Sequence, residues 1–263
     1  MIRVAVSGAA GRMGRETVRA MWDDPEMALV AAFDPAATGQ DAGIVAGLDP
    51  CGVKIGAMAG STLRACRADV LVDFSVPGTA AANAVQALQA GVSPVVGTTG
   101  IAPDDLANIE AACAEAGLPA LVVPNFAIGA VLMMRFAAEA ARHMPSAEII
   151  ELHHDGKLDA PSGTARLTAE RIAASRGMGT DDASGTVQPP ARGHSVRGVS
   201  VHSVRLPGLV AHQEVIFGAI GQTLTIRHDS LDRRSFMPGV LLAVRWVRQL
   251  SGLVIGLDAV LDL

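Results

Sequence analysis

The chain has 263 residues, half of them hydrophobic, and a formal net charge of −5, which suits one large domain or two with a sizeable core. Six Phe, two Trp and no Tyr argue against base-stacking platforms, and the acidic balance opposes phosphate backbones, so no nucleic-acid partner is expected. No apolar run nears the ~18 residues that span a bilayer, so no membrane partner is expected either.

Met1-Ile2-Arg3 runs into a strand without signal-peptide organisation. Cys51, Cys66 and Cys113 are odd in number and lack a Cys-x-x-Cys pair. They read as small buried thiols in a reducing, cytoplasmic setting, not as disulfides or a zinc site.

The first half alternates strands and helices. Strands are predicted at Ile2–Ser7, Met27–Phe33, Asp69–Phe74, Val95-Val96 and Leu121–Val123. Helices are predicted at Arg12–Trp22, Thr79–Ala90 and Pro103–Ala116, with Gly91 and Gly117 as stops. Continuous apolar strands between helices predict a parallel sheet buried on both faces. After residue 126 the pattern changes. A helix at Ile128–His143, a strand at Ala147–Leu152 and a helix at Thr164–Ser175 precede a Gly, Ser, Asp and Pro-rich loop over Gly177–Gly198. Strands at Val199–Arg205, Val210–Phe217 and Thr223–Arg227 and a helix from Phe236 to about Leu250 complete the pattern. The fold class is therefore α/β: a Rossmann-type domain over 1–126, with 240–263 packing back on it. An α+β domain with an open mixed sheet covers 127–239.

The first strand leads into Gly8-Ala9-Ala10-Gly11-Arg12-Met13-Gly14. Glycines here permit a tight turn, let backbone approach a pyrophosphate and bring helix against strand. The helix N-terminus adds free N–H groups and partial positive charge. Asp34, twenty residues after Gly14, ends the second strand, where a carboxylate accepts from ribose hydroxyls. A merely structural βα turn would show the same glycines. Asp34 favours NADH, and Pro35 supplies no cation for a 2′-phosphate; Arg12 could do so, or lie solvated. Gly97-Thr98-Thr99-Gly100 and Pro124-Asn125-Phe126 follow strand ends where open α/β sheets bind ligands, or are ordinary turns.

Residues 151–164 carry the chemistry. His153, His154 and Lys157 lie close together, and Ser162-Gly163-Thr164 open a helical run. Adjacent histidines on an extended strand point to opposite sides, which argues against shared zinc; no metal site is expected. One imidazole facing a substrate suffices for general-acid work, and the other can hold a carboxylate. A helix start with hydroxyls binds carboxylate or phosphate. A surface histidine pair and a simple helix cap are the plain alternatives. The combination points to a cationic pocket for a carboxylate-bearing substrate.

Gly8–Gly14, Val96–Gly100, Asn125-Phe126 and Glu151–Ala165 together resemble the dihydrodipicolinate reductase family, in order across nearly the whole chain. The resemblance implies hydride transfer from NADH or NADPH to 4-hydroxy-tetrahydrodipicolinate, a cyclic imine dicarboxylate on the diaminopimelate route to lysine. It implies that Gly8, Ala9, Ala10, Gly11, Arg12 and Met13 hold the pyrophosphate and Asp34 the adenosine ribose. Gly97, Thr98, Thr99, Val123, Pro124, Asn125 and Phe126 would line the nicotinamide end. His153 and Lys157 would be proton donors, while His154, Gly163 and Thr164, beside Ser162, would bind substrate carboxylates. It further implies a homotetramer built through the C-terminal sheets. Pro35 and Asp155-Gly156 depart from members that carry basic residues there. Two other readings share part of the pattern: a sugar or semialdehyde dehydrogenase, and a non-catalytic dinucleotide sensor.

Overall fold

The computed structural model describes residues 1–176 and 189–261. In chain order the elements begin β1 (Ile2–Ser7), α1 (Arg12–Trp22), β2 (Met27–Phe33), α2 (Ala42–Ala46), β3 (Ile55–Gly56), α3 (Gly60–Ala65) and β4 (Val70–Asp73). They continue with α4 (Pro77–Gln89), β5 (Ser93–Val96), α5 (Pro103–Ala116), β6 (Ala120–Val122), α6 (Ile128–Ala141), β7 (Ser146–His153) and α7 (Gly163–Ser175). Strands β8 (His194–Val196), β9 (Val199–Arg205), β10 (Ala211–Ala219) and β11 (Gln222–Ser230) follow, then α8 (Met237–Trp246), β12 (Leu253–Ile255) and α9 (Asp258–Leu261). Backbone contacts divide the chain into two units: Met1–Phe126 with Phe236–Leu263, and Ala127–Ser235.

The first unit holds a parallel sheet of order β12-β6-β5-β4-β1-β2-β3. This is the doubly wound order, with its reversal between β1 and β4. Val70, Leu71 and Val72 are all buried, as expected of a strand covered on both faces. On α4, Ala80, Ala84 and Ala87 are fully buried; small side chains there let the helix lie close to the sheet. The region between Asp34 and Asp69 had no assigned elements. It is ordered by Asp41, whose carboxylate accepts from the N–H groups of Gly43, Cys51 and Gly52 at 2.9–3.0 Å. Elements of two to six residues leave too few positions for a period to be read.

The second unit holds a mixed sheet of order β11-β10-β7-β9-β8, in which β7 and β9 are parallel and the other pairs antiparallel. Helices α6 and α7 pack on one face, where Ile149, Val201, Val215 and Phe217 are buried. Residues one position away, Ile150, Leu152, Val204 and Ile216, are only half-buried on the other face. The loop expected over Gly177–Gly198 needs correction at its end. Residues 177–188 lie outside the described residues, but His194–Val196 is a strand paired with β9. Arg197 and Gly198 turn the chain with φ of 49° and 76°, the left-handed pair that suits a two-residue hairpin.

Candidate active site

In the first unit the glycine turn closes on the reversal point of the sheet. Gly8 has φ +72°, and a Cβ there would stand 2.4 Å from the carbonyl oxygen of Phe74. A Cβ on Gly14 would stand 2.1 Å from the carbonyl oxygen of Gly8. The N–H groups of Gly8 and Ala9 both donate to the Phe33 carbonyl, at 2.9 and 3.1 Å. Gly11 caps α1 without a side-chain hydrogen bond, so no side chain competes for the helix N-terminus. A cradle this close, ending on an uncapped helix start, fits a pyrophosphate. Arg12 is exposed and Met13 half-buried beside it.

Asp34 faces the turn. Its Oδ2 accepts from the Ala10 N–H at 3.0 Å and its Oδ1 from the Ala36 N–H at 2.9 Å. Each carboxylate oxygen keeps acceptor capacity, so ribose hydroxyls can still be received. The second ligand-facing edge is built on Asp73, which is fully buried at the end of β4. It accepts from the Ser75 N–H and hydroxyl at 3.0 and 2.7 Å, from Asn83 at 2.8 Å and from Thr98 at 3.3 Å. One carboxylate thus ties the Thr98 loop to the loop after β4. Thr98 is consequently buried, while Thr99 is exposed. Val123 donates to the Val96 carbonyl at 2.8 Å, placing the Pro124-Asn125-Phe126 segment beside that loop. Gly239 of α8 backs the segment: a Cβ there would lie 2.0 Å from the Phe126 carbonyl oxygen.

The second unit gathers the other candidates at the end of β7. Strand alternation puts Glu151 and His153 on one face of β7, and His154 follows the strand's last residue. Glu151 is fully buried. Its Oε2 bonds His153 Nδ1 and accepts from Arg205 Nη1 at 2.9 Å. Its Oε1 accepts from Arg205 Nη2 at 2.8 Å and from the Ser162 N–H at 3.3 Å. Burial pushes this carboxyl up, but hydrogen bonds from His153, Arg205 and Ser203 prevail and hold its pKa at about 2. At neutral pH it is an ionised acceptor, so His153 donates to it from Nδ1.

Lys157 Nζ donates to both oxygens of Asp159, at 2.7 and 2.8 Å. That bond, first among its causes, holds the Asp159 carboxyl below its ordinary range. The ammonium expected to support His153 is therefore engaged by Asp159. Arg205 Nη2 also donates to the Asp159 carbonyl at 2.7 Å, pinning the loop to the strand. His154 is exposed. Ser162 is buried, and its hydroxyl accepts from the Ala165 N–H at 3.2 Å as the cap of α7. Expected as a substrate contact, it serves the helix start and Glu151. Gly163 is exposed with open space around it, and Thr164 is half-buried.

Glu151, Asp159 and Arg205 had no assigned roles. Glu151 carried a signal, since it shares the period-two face of His153. Arg205 carried none: it lies opposite His153 only through the parallel pairing of β7 and β9.

The sheet order, glycine turn and acidic strand end define a dinucleotide-binding α/β protein with a second, mixed-sheet domain. Family models for the N-terminus and C-terminus of dihydrodipicolinate reductase match residues 2–126 and 129–261. The chain belongs to the dihydrodipicolinate reductase family. It is 52% identical to the 4-hydroxy-tetrahydrodipicolinate reductase of Moorella thermoacetica, over 99% of this chain and 98% of that protein. The Listeria monocytogenes (strain F2365) enzyme of the same name is 46% identical, over 99% and 100%. Among solved structures, dipicolinate-bound dihydrodipicolinate reductase from Paenisporosarcina sp. TG-14 superposes with a TM-score of 0.83. It is 40% identical, over 98% of this chain and 99% of that one. An amine dehydrogenase from Mycobacterium smegmatis, 16% identical with a TM-score of 0.68 over 96% of this chain and 94% of that one, shares the fold.

Proposed function

We propose that the chain reduces 4-hydroxy-tetrahydrodipicolinate with NADH or NADPH, and that the residues above divide the work between binding and proton transfer. The observation that carries this reading is the end of β7. An imidazole held by a buried carboxylate lies on the same segment as the start of α7, whose N-terminal N–H groups suit an anion. A cyclic imine dicarboxylate calls for both. When bound, the reduced nicotinamide supplies the hydride.

Gly8, Ala9, Ala10, Gly11, Arg12 and Met13 hold the pyrophosphate, and Asp34 receives the adenosine ribose hydroxyls. Gly97, Thr98, Thr99 and the 123–126 segment border the nicotinamide. His154, Gly163 and Thr164 take the substrate carboxylates and orient its ring. Ser162 supports them as the helix cap. Loss of the ring hydroxyl as water leaves a conjugated ring; once that ring has taken the hydride, His153, as imidazolium, gives its Nε2 proton to the electron-rich ring carbon. The new C–H bond forms as the Nε2–H bond breaks, and the Nδ1–H stays on the ring, donated to Glu151. Such proton donors contribute about 10²–10⁴-fold. Lys157 is the second donor, its charge balanced by Asp159 until substrate arrives.

A coupled assay tests this reading. Pyruvate and aspartate semialdehyde are freshly condensed and the absorbance of NADH or NADPH is followed. Turnover inhibited by dipicolinate is expected; absence of turnover with either nucleotide would overturn it.

Asp34 without a cation at Pro35 supports NADH as at least the equal of NADPH. The half-buried apolar residues on the face opposite α6 and α7 support assembly into a homotetramer through that face. Light scattering at working concentration decides this, a monomer counting against it. No helix among the described residues is long and apolar enough to cross a membrane. With Cys51, Cys66 and Cys113 all free thiols, a cytoplasmic location is the reading we adopt, to be tested by cell fractionation.

A further inference from the structure

We infer that Glu151 is a positioning residue for the reaction, fixing through one carboxylate both the tautomer of His153 and the start of the helix that receives substrate. The inference rests on His153 as proton donor and deepens that reading. Donors converge on both oxygens of Glu151: His153 Nδ1 and Arg205 Nη1 on one, Arg205 Nη2 and the Ser162 N–H on the other, with the Ser203 side chain as a further partner. Neither oxygen can be exchanged for an N–H₂ group without setting donor against donor. The site therefore requires a carboxylate and not merely a polar side chain of that shape.

The consequence for His153 is directional. With Nδ1–H committed to Glu151, Nε2 is the nitrogen left for substrate. When Nε2 gives up its proton, the neutral ring that remains is the Nδ1–H tautomer, the one Glu151 accepts from. No ring flip or proton relocation separates the acid from its product. The same carboxylate receives the N–H of Ser162, the cap of α7. Donor and carboxylate-binding helix start are thus referenced to one buried point. Arg205 locks that point from β9 and holds the Asp159 carbonyl with the same guanidinium. The loop between them, which carries His154 and Lys157, is fixed at both ends.

The test uses Glu151→Gln and reads the His153 ring directly. Long-range proton–nitrogen NMR, with the signal assigned by its loss in His153→Gln, reports the neutral tautomer. Wild-type protein should show Nδ1–H. Glu151→Gln should shift His153 toward Nε2–H and lower kcat about ten- to hundredfold, a part of the full donor effect. The dinucleotide Kd, measured by titration, should stay within about twofold. Glu151→Asp should keep the Nδ1–H tautomer and recover part of kcat. A wild-type ring in the Nε2–H form overturns the inference even if Glu151→Gln does not fold. So does a Glu151→Gln protein that retains Nδ1–H or near-normal kcat. Near-normal turnover of His153→Gln would instead remove His153 as donor, a failure of the underlying reading that the tautomer measurement keeps distinct.

Discussion

Phe74 and Phe126 meet edge to face, with ring centroids 5.6 Å apart and planes at 63°, and Gly97 lies against both rings. A Cβ on Gly97 would stand 2.2 Å from Phe74 Cε1 and 2.7 Å from Phe126 Cε2. Rings packed this way gain about 0.5–1.5 kcal/mol beyond their buried area. The pair joins the ends of β4 and β6 across β5, at the edge assigned to the nicotinamide.

Gly97→Ala should therefore part the rings. Overpacking of this kind costs about 1–3 kcal/mol, and the loop carrying Thr98 should shift with it. We expect a lower Tm together with weaker NADH binding in a fluorescence titration. A variant unchanged in both would show that the rings do not order this edge.

Asp34 should set nucleotide choice by repelling a 2′-phosphate. Wild-type enzyme should use NADH at least as well as NADPH in kcat/KM. Asp34→Ser should move the ratio toward NADPH, whatever stability it loses with the bonds to Ala10 and Ala36. A wild-type preference for NADPH beyond about tenfold, ~1.4 kcal/mol, contradicts the assignment.

The two histidines should separate by phenotype because His153 is held by Glu151 while His154, past the end of β7, is exposed. His153→Ala should reduce kcat by at least about 10²-fold with NADH affinity nearly unchanged. His154→Ala should mainly raise KM and weaken dipicolinate binding. Equal inhibitor affinity in wild type and His154→Ala would leave His154 without its assigned carboxylate.

Acid stability should report on Glu151. Its folded pKa of about 2 lies below the ordinary 4.5, so its contribution is complete above about pH 4.5 and fades as pH falls toward 2. Urea midpoints measured across that window should fall more steeply for wild type than for Glu151→Gln. Parallel slopes would mean that the carboxylate is not held low. Arg205→Ala, which strips the paired cation, should cost about 3–5 kcal/mol at neutral pH.

The elements that were legible in the chain are those long enough to show a period or bounded by strong stops. The bounds of β1, α1, β2, α5 and β9 were read as they stand in the structure. Short pieces escaped, among them α2, β3 and β12, because their order comes from partners elsewhere: Asp41 caps α2, and β12 exists by pairing with β6. The site divides in the same way. Side chains that carry chemistry in a compact motif, such as His153 and Lys157, stand out. Arg205 acts through strand register and Asp73 through a network joining two loops and α4, and neither dependence is written in local spacing.

That β12 adds to the far edge of the first sheet has a consequence for synthesis. The second unit can complete the five strands of its described residues once Ser230 has been made, while the first still lacks the strand that covers β6. The nucleotide-binding unit, first to begin, is thus last to finish. Until Leu253–Ile255 arrive, the backbone of Ala120–Val122 is an open edge able to pair with another chain. A truncation just before Leu253 would make that temporary exposure permanent, and its first symptom should be aggregation, ahead of any loss of chemistry at β7.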